Sequence, residues 1–424
     1  PFDPGSTMKI FTWAAAIDAG VYNGDEGFKS GKYKAEEWIE TIHDHNGGDG
    51  WGTISFDEGF ARSSNVAAAR LVWEKLHPDK FLDYLNAFDF DQTTGIDLPN
   101  EVPGVILYNR GIEKITTSFG QGTTLTPIQQ LKAASSIANG GKMMKPYVIS
   151  SVKDSETGKV LEKTEPEVVG EPISEDTAKK VRDLMDTVVN GEHGTGKGFK
   201  LDGYTLIGKT GTSQIPSEDG SFLTGKENYI FSFLGMAPKD DPELMMYVSV
   251  KQPELDDTEI GSVPVSFIFK NVMENGLQYL NIKPDKESKN DIHTIKVDKL
   301  VGKDPEKLKK SLTEKGLKVT VVGSGKTVKA ANLNEGSEIF PNDRIILVTE
   351  KPKMPDISGW SQREVMQLVD LLDIDVKISG NGYVNGQNIE KGATINLDET
   401  LEVELKPPAK DENEDDEEDD EDDS

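Results

Sequence analysis

The chain opens with a nearly uninterrupted apolar run at positions 10–17, which follows the polar sequence PGSTMK at positions 4–9. The Pro-Gly pair is typical of a turn, and Gly20 is placed to end a helix that Ser6 begins. A helix that is apolar on nearly all sides is typical of the core of a large protein. The pattern therefore predicts a buried first helix, with Ser6 and Lys9 three residues apart on one face.

Apolar periodicity then predicts helices first and strands late. Residues 20–53 are rich in glycine and charge, which indicates loops and a short hairpin. We predict helices at 55–60, 66–76, 78–88, 127–138, 174–189 and 264–280, and strands at 204–207, 229–236 and 244–250. Thr126 and Ser174 are the expected N-caps of two of these helices. This order predicts an α/β (α+β) domain in which an antiparallel sheet is backed by helices.

An internal repeat with a period of 57 residues follows, with Gly302 matching Gly359 and Val319 matching Val376. Each unit is predicted to hold one helix, at 305–315 and 361–372, followed by short strands. The predicted domains are therefore 1–283, a linker at 284–291, two small βα modules at 292–350 and 351–407, and a tail at 408–424. Each module is near the lower size limit for a core of its own, which favours packing between neighbouring modules.

Composition narrows the possible functions. The net charge is −28, and residues 411–424 contain twelve acids and no base, as expected of a disordered, solvated tail. An acidic balance argues against nucleic acid as a partner. There are no cysteines, which excludes disulfides and thiol chemistry, and five histidines without convincing metal spacing. We therefore expect neither a metal nor a cofactor.

Three short segments combine residue types that suit nucleophilic catalysis. A lysine held near a serine in an apolar wall can lose its proton and serve as the base for the hydroxyl. The sequence SSN at 63–65 lies on a predicted turn between two helices, where side chains can project into a cleft. The sequence KTGT at 209–212 is predicted to end a strand that begins at Ile207. Such an end can offer a cation and hydroxyls to a carboxylate, and a backbone N–H to a carbonyl oxygen.

Together the segments STMK at 6–9, SSN at 63–65 and KTG at 209–211 resemble the active-site serine penicillin-binding proteins and β-lactamases. The stretches FGQG at 119–122, TPIQ at 126–129 and GTG at 194–196 resemble the transpeptidase domain of class B penicillin-binding proteins. The two repeats resemble PASTA domains. A serine β-lactamase/transpeptidase-like fold followed by two PASTA modules is therefore expected, as in division enzymes of Gram-positive bacteria.

The resemblance implies a catalytic role for five side chains. Ser6 would attack the penultimate D-Ala carbonyl of a peptidoglycan stem peptide, and Lys9 would be its general base. Ser63 would relay a proton towards the leaving group, while Asn65 would orient Lys9 and bind the substrate amide. Lys209 would set the electrostatics of the pocket.

The same resemblance implies a set of binding residues. Thr210 and Thr212 would hold the terminal carboxylate of the substrate or of a β-lactam, with Ser64 and Gly211 also at the substrate. The backbone N–H groups of Ser6 and Thr212 would form the oxyanion hole. An amine from a neighbouring strand would then take the acyl group and complete a crosslink.

Two alternatives remain open at the level of sequence. A D,D-carboxypeptidase or β-lactamase-like hydrolase would use water as the acyl acceptor, although the sequence LDYLN at 82–86 has leucine where a class A β-lactamase has its glutamate. A non-catalytic, wall-binding division scaffold would depend on the PASTA modules, which occur in proteins of several kinds.

Location and partners are also implied by the resemblance. The family carries a membrane anchor and further segments ahead of the Ser-x-x-Lys helix, so we expect a fragment of an enzyme on the extracytoplasmic face of the membrane. Division proteins would bind the missing N-terminal part, and muropeptides or the cell wall would bind the PASTA modules. Without those segments we expect an exposed sheet edge and impaired stability or activity.

Overall fold

A computed structural model describes residues 1–154, 159–217, 221–255, 259–287, 295–340, 343–380, 382–395 and 399–406. The chain divides into two units, Pro1–Asn290 and Asp291–Ser424. The tail predicted at 408–424 lies outside the described residues, as does the second half of the linker predicted at 284–291. Within the described ranges, no helix combines the length and the apolarity needed to cross a membrane.

The helices of the first unit follow the predicted periodicity, with one addition at residues 111–116. They are α1 (Lys9–Asp18), α2 (Phe56–Ala61), α3 (Asn65–Arg70), α4 (Pro78–Ala87), α5 (Gly111–Thr116), α6 (Pro127–Ala138), α7 (Glu175–Asn190) and α8 (Ser262–Tyr279). Thr126 and Ser174 cap α6 and α7 as predicted, each accepting a hydrogen bond from a backbone N–H three residues on. The helix predicted at 66–76 is α-helical only as far as Arg70 and continues as a π-helix over Leu71–Leu76.

The strands of the first unit are β1 (Gly27–Lys29), β2 (Lys32–Tyr33), β3 (Ile42–His43), β4 (Thr53–Ser55), β5 (Met143–Met144), β6 (Ser151–Lys153), β7 (Val160–Lys163), β8 (Val168–Gly170), β9 (Ile207–Gln214), β10 (Tyr229–Ala237) and β11 (Leu244–Lys251). The last three form an antiparallel sheet in the order β11-β10-β9. The strand predicted at 204–207 is wrong, because β9 begins only at Ile207. The start at Ile207 predicted for the KTGT segment is confirmed, and the strand continues past Thr212 to Gln214. Pairing with β10 along this whole length holds the polar half of the segment in the sheet.

The sheet lies between two apolar layers. Leu234 of β10 belongs to the cluster that contains α1 and α7, whereas its neighbour Phe233 belongs to the cluster on α8. This alternation is expected of a strand buried on both faces. The first helix is buried from Lys9 to Ile17, as its apolar sequence predicts, and it packs against α7. The helix that begins at Lys9, three residues after Ser6, is therefore held within the core of the first unit.

The second unit contains two copies of one small fold. Its elements are β12 (Ile295–Lys296), α9 (Pro305–Glu314), β13 (Lys318–Val322), β14 (Ala330–Ala331), β15 (Glu338–Ile339), β16 (Arg344–Val348), α10 (Gln362–Leu372), β17 (Val376–Gly380), β18 (Tyr383–Gln387) and β19 (Leu401–Lys406). In each copy a helix precedes a strand that pairs in parallel with the last strand, which also pairs with an antiparallel strand. The sequence repeat is thus a structural repeat.

Candidate active site

Ser6 lies in a 3₁₀ turn, Gly5–Met8, that continues directly into α1. The helical path begins at Gly5, one residue before the predicted start at Ser6, and Pro4 holds the cap position without a side-chain hydrogen bond. The Gly5 N–H donates to the carbonyl of Gly120 at 3.0 Å. A Cβ at Gly5 would lie 2.7 Å from the Thr212 carbonyl oxygen. The turn is therefore clamped between the loop at 119–122 and β9.

The Lys9 amine is surrounded by oxygen atoms. Its Nζ lies 2.7 Å from the Ser63 carbonyl oxygen, 2.8 Å from Asn65 Oδ1, 3.0 Å from Ser6 Oγ and 3.2 Å from Ser63 Oγ. A carbonyl and an amide oxygen can only accept, so they take the two N–H bonds that a neutral amine has to offer. The nitrogen lone pair is then left for a hydroxyl, which either Ser6 or Ser63 can present to it.

Burial favours that neutral form. The Lys9 side chain is fully buried, and this burial lowers its pKa to about 7 against the opposing attraction of Asp44. Lys209 is equally buried, and its pKa is lowered well below the ordinary value by burial first and then by the charge of Lys9. Two charged ammonium groups this close together would repel each other. The site therefore favours a state in which only one of the two amines, Lys9 or Lys209, is protonated to an ammonium group.

Ser63 places its hydroxyl between the two lysines. Lys209 Nζ donates to Ser63 Oγ at 2.8 Å, the same hydroxyl that Lys9 Nζ contacts at 3.2 Å. Ser63 has a φ of 58°, in the left-handed region that non-glycine residues rarely adopt. Its N–H donates to the Phe60 carbonyl at the end of α2 at 3.0 Å, which holds this conformation. Backbone strain of this kind is common where a side chain must be aimed into a site.

The neighbours of Ser63 differ in role. Asn65 is half-buried at the start of α3, with its oxygen on Lys9 and its Nδ2 donating to the His43 carbonyl at 3.1 Å. Ser64 is 0% exposed, donates to Asp44 Oδ1 at 2.7 Å and accepts from the Ala67 N–H at 3.0 Å. The expectation that Ser64 binds substrate is therefore not supported, because its hydroxyl is buried and caps α3.

The third segment lies within β9 at an edge of the sheet, rather than at a strand end as predicted. Thr210 Oγ1 lies 2.7 Å from Thr195 Oγ1, which brings the predicted GTG stretch next to the strand. Thr212 is exposed. A Cβ at Gly211 would lie 2.3 Å from Ser232 Oγ and 3.2 Å from Thr7 Cγ2, so only glycine fits between β10 and the Ser6 turn.

Sequence reasoning missed one residue of this region, Asp44. It lies in the polar loop at 20–53, and the isolated Asp offered no spacing by which to recognise it. Its carboxylate is buried behind Ser64, as the hydrogen bond above indicates. Across the described ranges, no group of three or more His, Cys, Asp or Glu side chains is arranged to hold a metal ion.

A helix-borne serine beside a buried lysine, facing the edge of an antiparallel sheet, defines the serine–lysine class of acyl-transfer proteins. Comparison with known families gives a more specific answer. The penicillin binding protein transpeptidase domain matches residues 1–274, and the PASTA domain matches residues 295–351 and 352–407. The chain therefore belongs to the penicillin-binding protein transpeptidase family and carries two PASTA domains. The family and the fold class that the motifs predicted are confirmed.

Individual relatives agree with this assignment. The chain is similar to stage V sporulation protein D of Bacillus subtilis, with 36% identity over 82% of this chain and 54% of that protein. It is also similar to the probable peptidoglycan D,D-transpeptidase PenA of Neisseria flavescens, with 28% identity over 70% of this chain and 68% of that protein. The chain thus spans about half of the length of the first relative.

Solved structures show the same likeness. Penicillin Binding Protein 2X from Streptococcus thermophilus has a TM-score of 0.59 and 26% identity, covering 96% of this chain and 61% of that chain. Penicillin binding protein 3 from Mycobacterium tuberculosis, complexed with aztreonam, has a TM-score of 0.60 and 27% identity, covering 68% of this chain and 65% of that chain.

Proposed function

We propose that this chain carries a peptidoglycan D,D-transpeptidase activity that proceeds through an acyl-enzyme on Ser6, and that β-lactams block it by acylating the same serine. The observation that carries the proposal is the environment of Lys9, whose N–H bonds are directed to two acceptor oxygens while a hydroxyl lies 3.0 Å away. Family membership and the D,D-transpeptidase named among the relatives support the choice of substrate.

In the acylation step, Ser6 Oγ attacks the carbonyl carbon of the penultimate D-Ala while its proton passes to Lys9. The C–N bond to the terminal D-Ala then breaks, and the leaving nitrogen takes a proton through Ser63, which contacts both lysines. The oxyanion forms opposite the backbone N–H groups of Ser6 and Thr212. Preorganised donors of this kind contribute a large part of the rate of acyl transfer.

In the transfer step, a primary amine of a neighbouring stem peptide attacks the Ser6 ester. The proton that the amine loses returns through Lys9 to Ser6 Oγ as the ester bond breaks. Before the terminal D-Ala leaves, the donor stem peptide can lie extended along β9, the edge strand of the sheet, with its terminal carboxylate on the hydroxyls of Thr210 and Thr212 and its backbone beside Gly211. The product is a peptide crosslink and a regenerated serine.

The setting of this reaction belongs to the same proposal. The domain would act at the extracytoplasmic face of the membrane during septal wall synthesis, with the PASTA domains bound to muropeptides or the cell wall and division proteins as partners of the whole protein. The family assignment and the PASTA matches support the cell-wall part of this setting.

The test is covalent labelling with a fluorescent penicillin, followed by mass-spectrometric location of the adduct. We expect a stable adduct on Ser6 in the natural chain and none in Ser6→Ala. Ser136→Ala is the matched control, because its buried hydroxyl donates to the Ala133 carbonyl of its own helix, α6, at 2.6 Å.

Each other outcome points to a different function. Rapid release of the label as a hydrolysed product would instead indicate a β-lactamase-like hydrolase, and release of D-Ala from stem peptides without crosslinks would indicate a carboxypeptidase. Labelling of Ser6→Ala equal to that of the natural chain would overturn the acyl-enzyme on Ser6. Absence of any label would favour a wall-binding scaffold.

A further inference from the structure

Asp44 is a buried carboxylate behind the candidate active site. Its side chain is 2% exposed, and among the described residues it is the one acidic side chain that is buried. Lys9 and Lys209 are buried as well. Its backbone is fixed to Gly31, whose carbonyl accepts from the Asp44 N–H at 2.9 Å and whose N–H donates to Asp44 Oδ2 at 2.8 Å. Burying a carboxylate is costly unless it is hydrogen-bonded and paired, so its partners need explanation.

The partners of Asp44 lie on the segment that carries Ser63 and Asn65. Its Oδ1 accepts from Ser64 Oγ at 2.7 Å and from the Val66 N–H at 3.1 Å. These two contacts fix Ser64 and Val66, which lie on either side of Asn65. Ser64 also directly follows Ser63. The residue before Asp44 adds a further hydrogen bond to this segment, because the His43 carbonyl accepts from Asn65 Nδ2.

The position of this segment decides the geometry at Lys9. Ser63 and Asn65 together provide the two acceptor oxygens on the Lys9 amine, at 2.7 and 2.8 Å. A shift of the segment would release one N–H bond and let the amine rotate away from Ser6. Small displacements of reacting groups are costly, since a misplacement of about 1 Å can slow a reaction about a hundredfold.

Asp44 also supplies charge. Three groups interact with the charge of Lys9. The opposite charge of Asp44 raises the pKa of Lys9, whereas the charge of Lys9 lowers the pKa values of Lys209 and His45. Burial lowers the pKa of His45 first, the Arg62 carbonyl opposes this, and the two lysines lower it further. Asp44 is therefore the negative charge that opposes the effect of burial on the pKa values of Lys9 and His45.

We propose that Asp44 is a positioning residue of the acylation site, which holds the Ser63–Asn65 segment against Lys9 and supplies the compensating buried charge. The proposal rests on the proposed function for its effect on rate, but not for its effect on the protonation of Lys9.

The first test is Asp44→Asn, with the rate constant of penicillin acylation measured across pH. We expect a fall of about ten- to hundredfold in the acylation step, with binding of the intact penicillin little changed because Asp44 is buried. Loss of the carboxylate lowers the pKa of Lys9 further, so the rising limb of the pH profile should move to lower pH. An unmoved limb would overturn the role of the charge.

Two further variants separate charge from position. Ser64→Ala removes one hydrogen bond to Asp44 but keeps its charge, so acylation should slow without movement of the limb. Asp89→Asn is the matched control, because Asp89 is the partner of the buried Lys132 at 2.8 Å in a separate ion pair. It should leave both the acylation rate and the limb unchanged. A Ser64→Ala rate equal to that of the natural chain would overturn the positioning role.

A second measurement needs no activity. An NMR titration of protein carrying isotope-labelled lysine follows the Lys9 side-chain carbon next to the nitrogen, in the natural chain and in Asp44→Asn. We expect the titration of Lys9 to move to lower pH in the variant, and an unchanged midpoint would overturn the proposal. If the natural chain fails to react with penicillin while the Lys9 midpoint still moves, the proposed function fails and the electrostatic role of Asp44 stands.

Discussion

At the scale of single residues, the site depends on how one lysine loses its proton. A lysine in water carries a proton at neutral pH and cannot act as a base. Lys9 is buried among acceptor oxygens, and burial brings its pKa to about 7. The sequence allowed this prediction in outline, because a lysine one turn into an apolar helix is expected to be desolvated.

The pH dependence of acylation follows from this pKa. Below about pH 7 the Lys9 amine is protonated, so the rate constant of acylation by a penicillin should rise about tenfold per pH unit and then level off above about 7. Stopped-flow measurement of acylation checks this, with intrinsic fluorescence recorded over the same pH range to confirm that the fold is unchanged. A flat profile through this range would argue against Lys9 as the base.

At the scale of elements, the Ser6 turn is positioned by close backbone contact with a distant loop. Gly120 has a φ of 80°, and its carbonyl accepts from the Gly5 N–H. A Cβ at Gly120 would lie 2.0 Å from the Gly5 carbonyl oxygen, which the backbone cannot accommodate without moving the turn. The FGQG stretch at 119–122, noted in the sequence as a supporting motif, thus lies against the turn that carries the serine.

Gly120→Ala is therefore expected to slow penicillin acylation by at least about tenfold and to lower the free energy of unfolding by about 1–3 kcal/mol. Gly20→Ala is the matched control, because Gly20 also has a positive φ, 72°, yet nothing lies within 4 Å of its added Cβ. Both variants place an alanine at a positive φ, but only Gly120→Ala brings the new Cβ against the backbone of the Ser6 turn. Equal acylation rates in both, measured with fluorescent penicillin, would contradict the inferred clamp.

The sequence predicted helix positions better than the extent of β9 or the support of the site. Helix starts such as Thr126 and Ser174 are local signals, since a cap acts within one turn. Lys209 lies in mid-strand because β10 pairs with it through Leu234, a contact between residues far apart in sequence. Asp44 gave no signal for the same reason, since its partners Ser64 and Val66 are about twenty residues away.

At the scale of the whole molecule, the two PASTA repeats share part of their core. Ile346 of β16 belongs to the apolar cluster of the second repeat, together with Trp360. Arg344 contacts the face of the Trp360 ring at 4.3 Å and pairs with Glu364 at 2.9 Å. Packing between the neighbouring modules was expected from their small size, and the two repeats make that contact through this apolar cluster.

Neighbouring isoleucines on β16 allow a direct test. Ile346→Ala removes side-chain volume from the shared cluster, so hydrogen exchange in α10 of the second repeat should speed up, in line with a cost of about 2–5 kcal/mol. Ile345→Ala is the control, because Ile345 is equally buried but belongs to the core of the first repeat. Faster exchange of α10 in both variants, or in neither, would contradict a core shared through Ile346.

The burial of Lys9, Lys209 and Asp44 has a consequence for the conditions in which the site can work. Dissolved ions screen charges at a protein surface strongly but reach buried charges far less. Charges on exposed side chains therefore respond to salt, whereas the buried charges that set the reactivity of the serine respond far less. Recognition of a charged partner and the chemistry itself can therefore vary independently as the ionic strength changes.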